Sequence, residues 1–294
     1  MEHRIKLSQI ANILMCELFG ADIDINGLNL CNRETKYSNI VSYINDEKYM
    51  EYVIKNKNIK ALIVTKECYE SNKKILDDYS ILTVKNPEES FYLLHHYLYE
   101  NMDFYNKFDF DSRIGTNCII HPMACIEKGV CIGDNVFIGA YSIIKSGTLI
   151  NDNVMIGNYS IIGSEGFQII NGSLGRMNIR HVGGVILDNA SHIGDHCAVC
   201  KSLFEDNTTI GKYTQIDNFS QIAHNSTIGN NVVITAGVIL CGSTTIEDGV
   251  WIGVNSSVLN KVTIEKNSLI GIGSVVTRNI QSDSIAYGVP AKVK

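Results

Sequence analysis

The chain has 294 residues, of which 45% are hydrophobic and 19% charged, and its formal net charge is −6. This acidic balance, without a basic cluster, argues against nucleic acid or an anionic membrane as the main partner. No apolar stretch reaches the roughly 18 residues of a membrane-spanning helix. The first residues, 1–6, lack the long apolar segment of a secretory signal. Nine cysteines without disulfide-framework spacing are typical of a reducing compartment, so we expect a cytoplasmic protein.

Residues 1–100 are expected to form a small α/β domain. Apolar residues at helical spacing predict a helix over 7–18. Two short β-branched runs, 61–65 and 80–84, predict buried strands. A second helix is predicted over 88–100, where a proline stands near the first turn.

The rest of the chain is dominated by a period of six. Isoleucine occupies every sixth position from Ile114 to Ile162, and a second apolar run keeps this spacing from Ile210 to Val276. Such a period fits neither an amphipathic helix nor an alternating strand. It is typical of a parallel β-helix, in which equivalent residues stack in one solenoid core. Three hexads make one triangular coil, so residues eighteen apart are predicted to stack.

The predicted domain order follows from where this period begins and ends. A linker over 101–112 precedes the β-helix of 113–280, and 281–294 form a tail. The period fails over 164–184, which we interpret as a loop extruded from one coil, and again between residues 199 and 210. Insertions in solenoids often serve the functional site. Triangular rods that associate through their flat sides favour a cyclic trimer with pockets between protomers.

Cys197 and Cys200, near His192 and His196, invite comparison with a metal or redox site. A zinc site needs four converging ligands. A solenoid strand, however, points residues three apart to opposite sides. We therefore interpret these cysteines as packing residues and predict no metal.

Several stretches carry a family resemblance. They are the hexads themselves, Gly163-Ser164-Glu165-Gly166-Phe167, the ten residues Ile216-Asp217-Asn218-Phe219-Ser220-Gln221-Ile222-Ala223-His224-Asn225, and, nearer the N-terminus, Ile44-Asn45 with Lys48-Tyr49. The hexads resemble those of the hexapeptide acyltransferases, whose solenoid is a left-handed β-helix and whose members are usually trimers. The other stretches are similar to the LpxD family of UDP-3-O-acylglucosamine N-acyltransferases of lipid A synthesis.

The resemblance implies a mainly β protein, a left-handed parallel β-helix with a small N-terminal α/β domain that binds uridine. It also implies transfer of an acyl group from a phosphopantetheine thioester, on acyl carrier protein or CoA, to the amine of a UDP-linked amino sugar. No permanently bound cofactor is expected.

The chemistry requires a base for the amine, and histidine suits this task because its unperturbed pKa is near neutral. The resemblance selects His224 as general base. Asp217, seven residues earlier, is expected to lie near it and orient the imidazole. Gly242, eighteen residues after His224, is expected to stabilise the oxyanion through its N–H.

Substrate contacts are expected on both domains. Tyr43 and Tyr49 are candidates to stack on the uracil, with Asn45 at the base edge. Asn218 and His181 are expected at the substrate. The donor is expected to lie along a glycine-rich coil near Gly253, with its phosphate at Arg278. These residues also have a plain interpretation as surface or turn positions.

Departures from the family pattern keep alternatives open. Lys201-Ser202-Leu203 replaces an expected Asp-Arg-Gly, and Asn260-Lys261-Val262 replaces an expected second histidine. The last residues, 271–293, resemble acetyl-CoA-dependent sugar acetyltransferases rather than a C-terminal helix. The alternatives are therefore an acetyl-CoA-dependent N-acetyltransferase, a non-catalytic binding protein, and a zinc-dependent carbonic anhydrase on the same solenoid.

Overall fold

A computed structural model describes residues 4–33 and 35–294. It divides the chain into two compact units, residues 1–107 with 168–180, and residues 108–167 with 181–294. The first three residues of the predicted N-terminal segment lie outside the described part. Among the described residues, no helix has the length and apolarity needed to cross a membrane.

The first unit is built on a five-stranded sheet. Its strands, in spatial order, are Glu17–Phe19, Ser80–Thr83, Ile59–Val64, Ile40–Tyr43 and Gly27–Leu28. Only the first pairs antiparallel. A second, two-stranded sheet joins Ile5–Lys6 to Asp24–Ile25. The helices are α1 (Leu7–Leu14), α2 (Met50–Lys55), α3 (Lys66–Ser71), α4 (Lys73–Leu76) and α5 (Pro87–Asn101), with a 3₁₀ turn at Glu47–Tyr49.

The predicted elements of this unit are present with shifted ends. α5 begins where expected, because the Asn86 side chain accepts a hydrogen bond from the Glu89 N–H. The predicted helix over 7–18 is too long. Met15 adopts a left-handed conformation with φ of 50° and ends α1, and residues 17–19 join the sheet instead.

An antiparallel hairpin, Ile169–Gly172 with Gly175–Asn178, also belongs to the first unit. It occupies the predicted loop of 164–184. The N–H and hydroxyl of Ser173 donate to the Glu89 carboxylate at 2.6 and 2.7 Å. These hydrogen bonds hold the hairpin tip against the first turn of α5.

His95 on α5 holds the base of this hairpin. Its ring is fully buried, with Nε2 2.9 Å from the Arg180 carbonyl and Nδ1 2.7 Å from the Tyr105 hydroxyl. Because a carbonyl only accepts, Nε2 carries a hydrogen and donates it; burial disfavours the charged ring, so Nδ1 accepts from the Tyr105 hydroxyl. Burial lowers the pKa of His95 to about 4.

This buried ring predicts a pH-dependent loss of stability. The unfolded chain binds a proton near the ordinary pKa of 6.5 and the folded chain only near 4, so stability falls as pH drops through this window. The free energy of unfolding, measured with urea, should fall between pH 7.5 and pH 4.5 in both proteins. The fall should be larger in wild type than in His95→Gln by on the order of 3 kcal/mol. Equal losses in the two proteins would contradict this assignment.

The second unit is a parallel β-helix of three sheets, which the chain visits in the order 1, 2, 3. Sheet 1 contains Arg113–Ile114, Cys131–Ile132, Thr148–Ile150, Gly184–Leu187, Asn207–Ile210, Thr227–Ile228, Thr245–Ile246 and Thr263–Ile264. Sheet 2 contains Ile119–Ile120, Phe137–Ile138, Met155–Ile156, His192–Ile193, Gln215–Ile216, Val233–Ile234, Trp251–Ile252, Leu269–Ile270, Ile285–Tyr287 and Lys292–Val293. Sheet 3 contains Cys125–Ile126, Ile143–Ile144, Ile161–Ser164, Ala198–Cys200, Gln221–Ile222, Ile239–Leu240, Ser257–Val258 and Val275–Val276.

The period of six builds the core of this solenoid. Each hexad places one apolar side chain inward, and Ile216, Ile222 and Ile228 are at most 2% exposed. Strands pair with the strand eighteen residues along, as Ile222 does with Leu240. Full burial of one such side chain contributes roughly 2 kcal/mol. The predicted mainly β fold, a parallel β-helix with a small N-terminal α/β domain, is confirmed.

Candidate functional site

The turns that join sheet 3 to sheet 1 form one edge of the solenoid, here called the 3–1 edge. His224 lies on it, two residues after the strand Gln221–Ile222. Both interruptions of the period lie on the same edge, since 165–183 and 201–206 each connect a strand of sheet 3 to a strand of sheet 1. Both irregular segments therefore leave and rejoin the solenoid on the edge that carries the predicted base.

Asn225 orients the His224 ring. The His224 side chain is largely buried, and its Nδ1 is 3.0 Å from Asn225 Oδ1. This oxygen also accepts from the Leu203 N–H at 3.0 Å, and the Asn225 amide NH₂ donates to the Ser202 hydroxyl. Since a backbone N–H only donates, the oxygen is the acceptor and His224 Nδ1 carries the hydrogen. The lone pair then lies on Nε2.

The backbone fixes Asn225 itself. Its φ of 59° is the left-handed conformation that asparagine tolerates, and its N–H donates to Thr208 Oγ1 at 2.9 Å. Sequence reasoning did not select Asn225 as the orienting group. The available signal was an asparagine directly after the histidine in Ile222-Ala223-His224-Asn225.

Removing the Asn225 side-chain amide should allow the His224 ring to adopt both neutral tautomers. Asn225→Gly keeps the left-handed backbone but deletes the acceptor, so ¹⁵N NMR of the ring should change from one tautomer to a mixture. Asn231→Gly is the matched control, because Asn231 is also left-handed with φ of 54° in another turn. An unchanged His224 spectrum in Asn225→Gly would show that another group orients the ring.

Gly242 lies directly beside the other side of the His224 ring. A Cβ atom at Gly242 would come within 2.7 Å of both Cε1 and Nε2 of His224, so any larger residue there would displace the ring. The neighbouring amides are occupied, with Cys241 donating to Val258 and Ser243 to His224. Within the described part of the chain, the Gly242 N–H donates to no protein acceptor. A free N–H thus lies next to the Nε2 edge, as the spacing of eighteen predicted.

His181, from the long insertion, packs against His224. Its ring is 1% exposed and meets the His224 ring edge-on, with centroids 5.0 Å apart. Glu165 accepts from the His181 N–H at 3.2 Å and pairs with Lys201 Nζ at 2.7 Å. Burial alone would raise the pKa of Glu165, but the Lys201 hydrogen bond and charge hold it below its usual range. Sequence reasoning singled out Glu165 and Lys201 only as motif positions, without a role.

Asp217 does not lie beside His224, and this expectation was wrong. Asp217 is exposed in a turn between sheets 2 and 3, where its carboxylate accepts from the Asn218 N–H at 2.7 Å. Stacking repeats at eighteen residues, so a residue one hexad earlier lies on a different edge. Asn218 Oδ1 caps the Asp195 N–H at 2.6 Å and is engaged with the neighbouring coil.

The two residues predicted to bind the acyl donor, Arg278 and Gly253, lie on different edges of the solenoid. Arg278 is exposed two residues after Val276, and the ladder from Ile222 through Leu240 and Val258 to Val276 places it on the 3–1 edge. Gly253 follows Trp251–Ile252 of sheet 2 and therefore lies on another edge. Only Arg278 shares the edge of His224.

In the first unit, Tyr43 and Asn45 meet at Glu88. The Tyr43 hydroxyl donates to Glu88 Oε1 at 3.0 Å, and Asn45 Oδ1 accepts from the Glu88 N–H at 3.2 Å. Burial raises the pKa of Tyr43, whose ring packs 5.0 Å from Phe91. Tyr49 instead packs beside Tyr52, with centroids 6.3 Å apart. The predicted uridine residues thus form two groups.

The cysteines make packing contacts. Cys197 is buried with its sulfur 3.2 Å from the Asp217 carbonyl, and Cys200 is buried beside Ser164. Across residues 4–33 and 35–294, no three His, Cys, Asp or Glu side chains are grouped to hold a metal ion.

The repeats of the solenoid match two known families of hexapeptide repeats. Residues 111–146, 129–164 and 207–242 match the bacterial transferase hexapeptide family (six repeats). Residues 243–278 match the hexapeptide repeat of succinyl-transferase.

Part of the chain is also similar in sequence to named acyltransferases. A UDP-3-O-acylglucosamine N-acyltransferase of Methylorubrum extorquens is 35% identical over 130 residues, which cover 44% of this chain and 37% of that protein. A UDP-3-O-acylglucosamine N-acyltransferase 2 of Rhodopseudomonas palustris is 33% identical over 132 residues, or 45% of this chain and 35% of that protein. The matched region thus spans less than two fifths of either relative.

Among solved structures, a UDP-N-acetylglucosamine acyltransferase from Campylobacter jejuni matches with a TM-score of 0.55 at 20% identity, covering 64% of this chain and 73% of that one. This likeness concerns the fold and agrees with the predicted left-handed β-helix. The chain therefore has a left-handed β-helix fold with hexapeptide repeats, and over less than half of its length it is similar to the UDP-3-O-acylglucosamine N-acyltransferases.

Proposed function

We propose that this protein is an N-acyltransferase that moves an acyl group from a phosphopantetheine thioester to the amine of a UDP-linked amino sugar. The observation that carries the proposal is that the Gly242 backbone, whose N–H donates to no acceptor in the described part of the chain, lies directly beside the Nε2 edge of His224. A base and an oxyanion donor within one small region are what acyl transfer to an amine requires. The names of the relatives suggest the acceptor, a UDP-linked acylglucosamine.

The base acts on the attacking amine. His224 Nε2 accepts a proton as the amine nitrogen forms a bond to the thioester carbonyl carbon. Asn225 holds Nδ1–H and so keeps the lone pair on Nε2. Asn225 thus takes the orienting role that sequence reasoning gave to Asp217.

The Gly242 N–H stabilises the oxyanion of the tetrahedral intermediate. A backbone donor fixed in a stacked turn needs no reorganisation when the charge develops. Collapse of the intermediate breaks the C–S bond, and His224 returns the proton to the departing thiolate. The products are an amide and a free thiol.

The donor runs along the 3–1 edge. Adjacent coils are about 4.8 Å apart, so Arg278, three coils from His224, lies about 14 Å away. An extended pantetheine-type arm with its phosphate on Arg278 can bring its thioester toward His224. The position of Gly253 on another edge gives no support to a donor role there.

His181 and Asn218 are proposed to support the site rather than to contact the acceptor sugar, as the sequence had led us to expect. His181 is buried against His224 and supports the ring, while Asn218 stabilises the solenoid turn. Tyr43 and Asn45 remain the proposed uracil contacts. Hydrogen bonds to Glu88 hold both side chains in place before the proposed uridine nucleotide binds.

The active form is proposed to be a cytoplasmic homotrimer. Sheet 2 presents large exposed apolar side chains outward, among them Met155 at 50% and Trp251 at 48% exposure. Covering such a face between copies removes apolar area from water. Light scattering should give three times the 32.6 kDa chain mass; a monomer would refute the trimer.

A donor panel tests the reaction. Purified protein is incubated with UDP-3-O-acylglucosamine and, separately, 3-hydroxyacyl carrier protein, a long acyl-CoA or acetyl-CoA. Amide product with the first donor supports the proposal. Product with acetyl-CoA alone favours the acetyltransferase suggested by the sequence of 271–293. UDP-sugar binding without turnover of any donor would indicate a binding protein.

A further inference from the structure

The two ends of the insertion 165–183 meet at the His181 ring. This ring is buried and lies edge-on to the His224 ring, with centroids 5.0 Å apart. The backbone of Gly166 also packs against it, because a Cβ atom at Gly166 would be only 2.3 Å from His181 Nε2. The His181 ring thus contacts both the start of the insertion and the ring of the proposed base.

The Glu165 carboxylate joins the two ends. Its Oε2 accepts from the His181 N–H at 3.2 Å and lies 3.8 Å from His181 Nδ1. Its Oε1 pairs with Lys201 Nζ at 2.7 Å, and the Lys201 side chain is only 20% exposed. Hydrogen bonds that involve charged groups are shorter and stronger than those between neutral groups. Both oxygens of the carboxylate are therefore engaged, one by His181 and the other by Lys201.

A second ion pair on the 3–1 edge has the same form. Glu127 Oε1 pairs with Lys145 Nζ at 2.6 Å, and Glu127 Oε2 accepts from the Ser146 N–H at 3.0 Å. Glu127 and Lys145 directly follow the strands Cys125–Ile126 and Ile143–Ile144 of sheet 3. The two carboxylates thus differ in one respect: the N–H that Glu165 holds belongs to a histidine in contact with the proposed base, and the N–H that Glu127 holds belongs to a serine.

We propose that Glu165 is a positioning residue for the reaction, because it holds His181 against His224. Lys201 in turn holds the Glu165 carboxylate. This inference rests on the proposed function, in which His224 is the base. A closely packed ring limits where its neighbour can lie. Asn225 selects the ring nitrogen that carries the hydrogen, whereas His181 fixes the place of the ring.

Glu165→Ala tests this role in the full chain. Without the carboxylate the His181 ring can move, so kcat for acyl transfer should fall roughly ten- to hundredfold with KM little changed. The His224 signals in protein labelled with ¹³C-histidine should shift or broaden, because the edge-on ring is no longer held at one distance. Glu165→Gln keeps an oxygen for the His181 N–H and should therefore lose less in both measurements.

Glu127→Ala is the matched control, since it removes the equivalent ion pair from the same edge. It should keep the kcat and the His224 signals of wild type. Two results would overturn the proposal: a wild-type kcat in Glu165→Ala, or His224 signals in Glu165→Ala that equal those of the control.

Should Glu165→Ala unfold, Glu165→Gln takes its place, and unchanged His224 signals in that variant would reject the role of Glu165. The NMR signals require no turnover. They therefore test the positioning of His224 even if wild type acylates no acceptor and the proposed acyl transfer fails.

Discussion

Replacing His224 by alanine should lower kcat by two to four orders of magnitude, the usual contribution of a positioned acid–base group. The ring is held by Asn225 on one side and lies over Gly242 on the other, so the substitution removes the proposed base at Nε2. The measurement is steady-state acyl transfer with UDP-3-O-acylglucosamine and the best donor of the panel.

The matched control is His121→Ala. His121 is an exposed histidine of the same solenoid, in the turn that follows the strand Ile119–Ile120. This variant should retain near-wild-type kcat, and both variants should keep the circular dichroism spectrum of the folded β-helix. A His224→Ala protein that turns over at the wild-type rate would remove His224 from the mechanism.

Gly242→Ala should lower kcat at least a hundredfold while the solenoid stays folded. The added methyl group would lie 2.7 Å from His224 Nε2 and Cε1, so the ring must move away from the proposed oxyanion position. Misplacement by about 1 Å of a group near the reacting atoms is enough for such a loss. The effect should fall on kcat more than on KM for the nucleotide sugar, because the displaced ring carries the proposed base for the chemical step.

Gly27→Ala provides the control for the glycine change. A Cβ there would meet nothing closer than 3.4 Å, which is ordinary van der Waals contact. It should leave kcat unchanged. Unaltered kcat in Gly242→Ala would mean that neither the His224 ring position nor the Gly242 N–H matters for turnover.

The solenoid was predictable because its signal is local and repeated. Each hexad places one apolar residue inward, and stacking at eighteen correctly predicted that Gly242 lies beside His224. The same rule shows why Asp217 was misplaced. A separation near six moves a residue to the next edge, whereas only multiples of a full coil bring it into contact.

The remaining parts of the site depend on insertions, which break the repeat. No periodicity relates His181, Glu165 and Lys201 to His224, because 165–183 and 201–206 leave the regular register before returning to it. Their contacts arise only when the chain folds back on the 3–1 edge. The glycines and the interrupted period of six indicated which segments are irregular. They did not indicate which side chains of those segments contact His224.

The first unit shows the same limit. The buried strands and α5 follow from β-branching and an Asn-Pro start. The hairpin 169–178 and the following Arg180 are held by hydrogen bonds with Glu89 and His95, about 84 residues away along the chain. Non-local contacts of this kind have no signature in a single sequence.

The most direct test of the account compares two acceptors that differ only at the proposed nucleophile. UDP-3-O-acylglucosamine with a free amine and its N-acetylated form are each incubated with protein and 3-hydroxyacyl carrier protein, and products are located by tandem mass spectrometry. N-acyl transfer predicts one new acyl group on the nitrogen of the free amine and none on the blocked acceptor. Equal acylation of both acceptors, or an ester in place of the amide, would contradict it.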